Sequence, residues 1–102
     1  MRFDETASGG EVRVKVGQEF EVVLSETPTT GYRWKVVSDG APVCRIERDE
    51  FQASAPTPGA PGRHAWVFSA AQSGAAVLDL AYRRSFGASE PARRFTLRVV
   101  AQ

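Results

Sequence analysis

Apolar and polar residues alternate with a period of two along most of the chain. Val12, Val14 and Val16, for example, alternate with Arg13 and Lys15. The pattern recurs in six further segments, with apolar positions Phe20, Val22 and Leu24; Tyr32, Trp34 and Val36; Cys44 and Ile46; Trp66 and Phe68; Leu78, Leu80 and Tyr82; and Phe95, Leu97 and Val99. Successive side chains of a strand point to opposite faces, so each segment predicts a β-strand with one buried and one solvated face.

These strands predict an all-β fold. No long segment has a helical period, and the alanine-rich stretch from Ser69 to Ala76 is short and contains Gly74, which favours a turn. About seven short strands at close spacing are typical of an immunoglobulin-like antiparallel β-sandwich, with a closed barrel as the alternative. The length of 102 residues predicts one domain, residues 1–102. Trp34 and Trp66 are the best candidates for its core.

Three connecting segments are too long, or too rich in Pro, Gly, Ser and Thr, to be simple hairpin turns. They run from Glu26 to Gly31, from Ala55 to Arg63 and from Ser85 to Pro91. Each is separated from the next by two predicted strands. Loops separated by an even number of strands emerge at the same end of a sandwich, so these three are expected to cluster, as the binding loops of immunoglobulin variable domains do.

The first loop has the composition of a stiff segment. Pro28 fixes its own φ, Thr29 and Thr30 are β-branched with few rotamers, and Gly31 permits a turn that other residues resist. A loop that loses little entropy on binding is a good probe for a cleft. Composition alone leaves open the alternative of an ordinary well-formed turn between two strands.

The loop sequences resemble those of the chagasin family of cysteine peptidase inhibitors. Residues 27–34, Thr-Pro-Thr-Thr-Gly-Tyr-Arg-Trp, are similar to the family motif Asn-Pro-Thr-Thr-Gly-[Phe/Tyr]-x-Trp, with Thr27 in place of Asn. Residues 59–62, Gly-Ala-Pro-Gly, resemble a Gly-x-Gly-Gly element in which Pro61 replaces a glycine. Residues 84–86, Arg-Ser-Phe, stand where the family often has Arg-Pro-Trp.

The resemblance implies a reversible protein inhibitor of papain-like cysteine peptidases. It places Thr29 and Thr30 nearest the peptidase nucleophile, Gly59 to Gly62 on one wall of the cleft, and Arg84 and Phe86 on the other. The peptidase-binding residues implied in this way are Thr27, Pro28, Thr29, Thr30, Gly31, Tyr32, Gly59, Ala60, Pro61, Gly62, Arg84, Ser85 and Phe86. The alternative is a non-inhibitory immunoglobulin-like module that binds another protein through a drifted loop surface.

Charge and composition exclude several other classes of partner. The chain has 13 Lys and Arg against 12 Asp and Glu, a net charge of +1, which gives no reason to expect nucleic acid or an anionic membrane. No apolar run reaches membrane-spanning length. The residues after Met1 include Asp4 and Glu5 where a signal peptide would be apolar, so the chain as given is expected in the cytoplasm, or in the periplasm or outside the cell if a signal was removed. We expect a monomer without a cofactor.

The sequence does not predict an enzyme. Cys44 is the single cysteine, excluding an intrachain disulfide, and its strand pattern favours a buried position. His64 is the single histidine, and one alternative is an exposed or rim position on its strand. One Cys and one His without the spacing of a thiol hydrolase predict neither catalysis nor a zinc site. The charged cluster from Glu47 to Glu50 is typical of a solvated edge or a turn.

Overall fold

The computed structural model describes residues 1–57, 60–84 and 90–102. The strands are β1 (Arg2–Phe3), β2 (Gly10–Val14), β3 (Glu19–Glu26), β4 (Tyr32–Ser38), β5 (Cys44–Ala53), β6 (Gly62–Ala70), β7 (Gly74–Arg84) and β8 (Arg93–Ala101), with short 3₁₀ helices at Glu5–Ala7 and Pro28–Thr30. The all-β prediction is therefore confirmed. Within these ranges, no helix has the length and apolar character needed to cross a membrane.

The strands form two four-stranded sheets rather than a closed barrel. The first sheet has the order β1-β3-β6-β5 and the second the order β2-β8-β7-β4. The pairs β3–β6, β5–β6, β4–β7 and β7–β8 are antiparallel, but β1–β3 and β2–β8 are parallel. The expectation of a purely antiparallel sandwich needs this correction, because the N-terminal segment adds one parallel strand to the edge of each sheet.

The core fills the space between the sheets with the inward residues of the alternating segments. Trp34 is 6% exposed and Trp66 is 1% exposed, as predicted. Phe20 and Phe68 stack across β3 and β6 with ring centroids 5.5 Å apart. Val16 departs from the prediction and is exposed, because β2 ends at Val14 and the chain turns away. Truncation of a buried tryptophan such as Trp66 to alanine costs about 3–5 kcal/mol.

A bulge in β5 changes which side chains of that strand face inward. Ile46 pairs with Phe68 and Arg48 pairs with Val67, so Glu47 is an extra residue in the ladder. The charged cluster from Glu47 to Glu50 consequently lies within an edge strand and not in a turn. Because the bulge shifts the phase of the alternation, Asp49 pairs with the inward-facing Trp66 instead of pointing away from the core.

Strand directions bring the flanks of the three long loops to one end of the molecule. In the first sheet, Glu26 at the end of β3 and Ala53 at the end of β5 both pair with Gly62 at the start of β6. In the second sheet, Tyr32 at the start of β4 pairs with Arg84 at the end of β7. This end, with the residues that lead into and out of the three loops, is called the loop end below.

Candidate functional site

The first loop is a single 3₁₀ turn closed by its own hydrogen bonds. The amide of Thr30 donates to the carbonyl of Thr27 at 3.1 Å, and the amide of Gly31 donates to the carbonyl of Pro28 at 3.0 Å. Gly31 has φ +81°, in the left-handed region that glycine adopts without strain. Thr29 and Thr30 are exposed at the surface of the turn. The structure therefore gives this loop the compact shape that its composition predicts.

The threonines of the turn have different roles. The Thr30 hydroxyl donates to the carbonyl of Thr27 at 2.7 Å and accepts from the amide of Tyr32 at 3.3 Å, so it stabilises the turn from within. Thr27, which stands where the family has Asn, makes no capping hydrogen bond through its side chain. The turn thus relies on the hydroxyl of Thr30 and not on a cap from Thr27.

Hydrogen bonds at the base of the first loop join the two sheets. The amide of Thr27 donates to the hydroxyl of Tyr82 on β7 at 3.1 Å. The indole Nε1 of Trp34 on β4 donates to the carbonyl of Ser25 on β3 at 2.8 Å. The amide of Trp34 donates to Oε2 of Glu26 at 2.7 Å. Since these bonds connect β3 of the first sheet with β4 and β7 of the second, the loop is fixed relative to both.

Glu26, predicted to open the first loop, is a buried residue at the end of β3. Its side chain is 1% exposed, and Oε1 lies 3.2 Å from Nδ1 of His64 on β6. Nε2 of His64 contacts a carboxylate oxygen of Asp49 on β5, and the imidazole stacks on Trp66 with centroids 4.0 Å apart. The His64 side chain is 15% exposed and lies two residues from the start of β6, so it is a half-buried residue near the loop end and not an exposed one.

This cluster of Glu26, His64 and Asp49 satisfies charges that would otherwise be costly inside the sandwich. A buried carboxylate is tolerated when its oxygens have hydrogen-bond partners: one oxygen of Glu26 accepts from the Trp34 amide, and the other lies within hydrogen-bond distance of the His64 imidazole. The alternation itself signals this burial, because Glu26 continues the inward positions Phe20, Val22 and Leu24. Within the described ranges, no group of three or more His, Cys, Asp or Glu side chains is arranged to hold a metal ion.

An aromatic column supports the loop end in the second sheet. The rings of Tyr32 and Tyr82 stack with centroids 5.5 Å apart, and the Trp34 ring lies 5.0 Å from that of Tyr82. The guanidinium carbon of Arg84 lies 5.0 Å from the centroid of the Tyr32 ring, in a cation–π contact. Tyr32 and Arg84, which come from the first and third predicted loop motifs, are therefore in direct contact.

The second loop is closed at its base by the strands that flank it. Ser54 donates to the carbonyl of Pro61 through its amide at 2.9 Å and through its hydroxyl at 2.6 Å. Ala60 is half-buried and its amide donates to the carbonyl of Thr57 at 3.1 Å. Gly62 begins β6, and a Cβ there would collide with the Gln52 carbonyl oxygen. The structure thus gives Gly62 a packing role at the loop base.

Three of the predicted binding residues belong to parts of the second and third loops that the structure does not describe. Gly59, Ser85 and Phe86 lie outside the described residues. On the far side of the third loop, the amide of Ala92 donates to the carbonyl of Tyr82 at 2.8 Å. Pro28, Pro61 and the other described candidates therefore lie at the loop end, but their contact with a peptidase stays a prediction.

Cys44 and His64 do not form a catalytic pair. Cys44 pairs with Ala70, six residues along β6 from His64, which is about 20 Å at 3.3 Å per residue. The thiol is 2% exposed, and burial raises the pKa of Cys44, with the carboxylate of Asp39 acting in the same direction. A buried thiol with a raised pKa is a poor nucleophile, in agreement with the prediction of a structural cysteine.

Comparison with known proteins agrees with the loop motifs. Residues 13–99 match the family described as the chagasin family peptidase inhibitor I42. Amoebiasin-1 of Entamoeba histolytica is 28% identical over 102 residues, which is 100% of both chains. The solution structure of Amebosin is 29% identical with a TM-score of 0.84, covering 99% of this chain and 96% of that chain.

A second solved structure shows the same fold at lower identity. The crystal structure of the cysteine protease inhibitor EhICP2 from Entamoeba histolytica has a TM-score of 0.88 and 22% identity, covering 99% of this chain and 94% of that chain. The family and this structural neighbour are protease inhibitors rather than enzymes. Because the family match extends over residues 13–99, this chain belongs to the chagasin family of peptidase inhibitors, I42.

Proposed function

We propose that this protein inhibits papain-like cysteine peptidases reversibly by placing its three loops in the active-site cleft. The observation that carries the proposal is the first loop, a compact 3₁₀ turn whose base is bonded to both sheets through Tyr82, Trp34 and Glu26. A loop held in one shape loses little conformational entropy when a cleft closes around it, so more of the contact energy remains as affinity. Family membership supports the same function.

The roles proposed for the individual loops are those that the resemblance to the chagasin family implies. Thr29 and Thr30 are exposed on the turn and would lie nearest the peptidase nucleophile. Gly59 to Gly62 would flank one wall of the cleft, and Arg84 and Phe86 the other. Inhibition would proceed by occlusion without covalent chemistry, because the turn does not present an extended, substrate-like peptide bond to the nucleophile.

Titration of papain with the wild-type protein and with Thr29→Arg tests the proposal. The wild type should abolish papain activity at stoichiometric or micromolar concentration, and Thr29→Arg should lose inhibition because the larger charged side chain blocks seating of the turn. Thermal unfolding of Thr29→Arg should match the wild type, since the residue is exposed. Ser73→Arg, an exposed substitution in the turn between β6 and β7, is the matched control and should inhibit normally.

The same titration distinguishes the alternative of a non-inhibitory binding module. Thr27, Pro61, Ser85 and Phe86 depart from the family motifs, and a module with a drifted surface would leave papain fully active at high micromolar concentration. Inhibition that persists in Thr29→Arg would contradict a role for the first loop even if the protein is an inhibitor. A Thr29→Arg variant that unfolds would show that the loop is structural.

A further inference from the structure

Three positive side chains lie together on the outer face of the second sheet, next to the loop end. Arg33 on β4 pairs directly with Arg83 on β7, and Lys35 is the next outward residue along β4. All three are exposed and alternate with the inward-facing Trp34 and Tyr82. Arg33, Lys35 and Arg83 are called the basic face below.

The charges of the basic face are not neutralised by neighbouring acids. In the part of the chain that the structure describes, none of these three side chains forms an ion pair within 4.0 Å. The neighbouring part of the same outer face is neutralised. Arg94, which lies level with Lys35 across Ala81, pairs with Asp79 at 3.1 Å, and Arg98, further from the loop end, pairs with Glu11 at 3.2 Å. Positive charge is therefore concentrated at the loop end, although the net charge of the chain is only +1.

This arrangement is unfavourable for the isolated protein. Like charges directly opposite on neighbouring strands destabilise a sheet, and Arg33 faces Arg83 without an acid between them. Local arrangements that disfavour the fold are expected mainly at functional sites. Negative groups would stabilise this position, and the described residues place none within ion-pair distance of Arg33 or Arg83.

Any protein held by the loops comes within electrostatic range of the basic face. Arg33 is two residues from Gly31, about 7 Å along the strand, and Arg83 precedes Arg84 of the third loop motif. The Debye length at physiological ionic strength is about 8 Å, so charges on the bound surface beside the cleft are not fully screened from these side chains.

We propose that the basic face attracts a carboxylate-rich surface beside the active-site cleft of the target peptidase. If the protein is an inhibitor as proposed above, the basic face gives it a preference for peptidases whose cleft rim is acidic. Complementary charge at the rim of an interface accelerates association more than it slows dissociation. The basic face would therefore select among peptidases through the association rate.

A protein surface fits the basic face better than an extended polyanion does. Proteins that bind nucleic acid tightly neutralise about 6–10 phosphates, and three cations are too few for that mode. On the rest of the outer face, Arg94 and Arg98 are already paired with Asp79 and Glu11, so the unpaired charge does not extend along the sheet as a polyanion would require. A local patch of carboxylates needs only the area next to the loops.

The test compares association with papain and with succinyl-papain, in which lysine ammonium groups are converted to carboxylates. Active-site-titrated samples of both are mixed with wild type, Arg83→Glu and Lys15→Glu by stopped flow at 0.02 M and 1 M salt. Lys15→Glu changes net charge equally, but Lys15 follows β2 at the end opposite the loops. The wild type should associate about 10-fold faster with succinyl-papain at low salt, and this preference should vanish at 1 M salt.

Arg83→Glu should abolish or reverse that preference, whereas Lys15→Glu should keep most of it. Arg83→Glu also places a carboxylate opposite Arg33, so its Tm should rise by about 1–5 °C even as association slows. If association slowed because the variant was misfolded, Tm would fall instead. Arg33→Glu, which places the carboxylate on β4 opposite Arg83, is a second variant that should show the same slower association and the same rise in Tm.

Three results would overturn the inference. Equal rates of the wild type with papain and succinyl-papain at low salt, with both enzymes inhibited, would refute the basic face while leaving the proposed function intact. If Arg83→Glu and Lys15→Glu reduced the preference for succinyl-papain equally, the preference would come from the net charge of the protein and not from the basic face. If Arg83→Glu changed retention on a heparin column but changed neither association rate, the basic face would bind a polyanion rather than a peptidase. Absence of inhibition of either enzyme would instead refute the proposed function itself.

Discussion

The carboxylate of Glu26 accepts a hydrogen bond from the backbone amide of Trp34 at 2.7 Å, although the two residues belong to different sheets. The other carboxylate oxygen of Glu26 contacts His64, and the side chain is almost completely buried. Since Glu26 is the last residue of β3 and Trp34 is near the start of β4, this bond closes the base of the first loop. The buried carboxylate of Glu26 therefore links the base of the first loop to both sheets, together with the bonds of Tyr82 and the Trp34 indole.

Replacement of Glu26 by alanine should destabilise the protein by about 2–3 kcal/mol, because the amide of Trp34 and Nδ1 of His64 would each lose their hydrogen-bond partner inside the protein. Glu26→Gln keeps an amide oxygen that accepts from Trp34, so it should cost about 1 kcal/mol less. Equilibrium urea denaturation measures both. A loss well under 1 kcal/mol in Glu26→Ala would show that water or rearrangement satisfies these groups.

The alternating pattern predicted most of the fold, but not the direction of every strand. Trp34 and Trp66 are buried as expected, because a period of two specifies which side chains face inward. The same period fits a parallel and an antiparallel neighbour equally well. The parallel pairing of β1 with β3 and of β2 with β8 depends on how the N-terminal segment crosses between sheets, which no local pattern specifies.

The sequence motifs predicted the position of the first loop better than they predicted its support. The run from Pro28 to Tyr32 does form a stiff exposed turn. Asp49 could not be assigned to the cluster around His64, because the bulge at Glu47 reverses the alternation of β5. The predicted first loop begins at Glu26, whereas in the structure Glu26 is the buried last residue of β3, because its carboxylate has partners inside the sandwich.

Gly62 is required by close packing at the base of the second loop. A Cβ there would collide with the carbonyl oxygen of Gln52 and would lie 2.7 Å from Cζ of Phe51. Gly62→Ala should therefore destabilise the fold by about 1–3 kcal/mol, as expected for overpacking, in thermal or urea unfolding. Arg63→Ala, at the next and exposed position, should change stability little; equal stability of the two variants would contradict the packing argument.

Cys44 should be protected from thiol reagents in the folded protein. Burial raises the pKa of its thiol, so less thiolate is present at a given pH than in an unfolded chain. Labelling with Ellman's reagent at pH 8 should be slow in buffer and fast in concentrated urea. Fast labelling of the native protein would show that β5 opens locally at this position.

The raised pKa of Cys44 also predicts how the free energy of unfolding changes with pH. A thiol whose pKa is higher in the folded state favours folding fully below its unfolded pKa, and this contribution is lost as pH rises through the folded value. Stability of the wild type should thus fall more steeply above pH 9 than that of Cys44→Ala, measured by urea unfolding at a series of pH values. Parallel pH profiles of the two proteins would contradict the assignment to Cys44.

The hydroxyl of Thr30 should control the rigidity of the first loop in the free protein. Thr30→Val keeps the β-branched shape but removes the hydrogen bonds to the carbonyl of Thr27 and from the amide of Tyr32. Inhibition of papain should weaken about 5–10-fold, because the turn must then be ordered on binding, while global stability changes by about 1 kcal/mol or less. Thr30→Ser retains the hydroxyl and should inhibit nearly as well as the wild type.

Amide hydrogen exchange separates loss of rigidity in Thr30→Val from loss of a direct contact with the peptidase. If the hydroxyl orders the turn, exchange at the Tyr32 amide should accelerate in free Thr30→Val and remain slow in Thr30→Ser. Weaker inhibition with unchanged exchange would instead mean that the hydroxyl contacts the peptidase directly. Unchanged inhibition with faster exchange would show that stiffness of this turn contributes little to affinity, which would remove the entropic argument for how the loop acts.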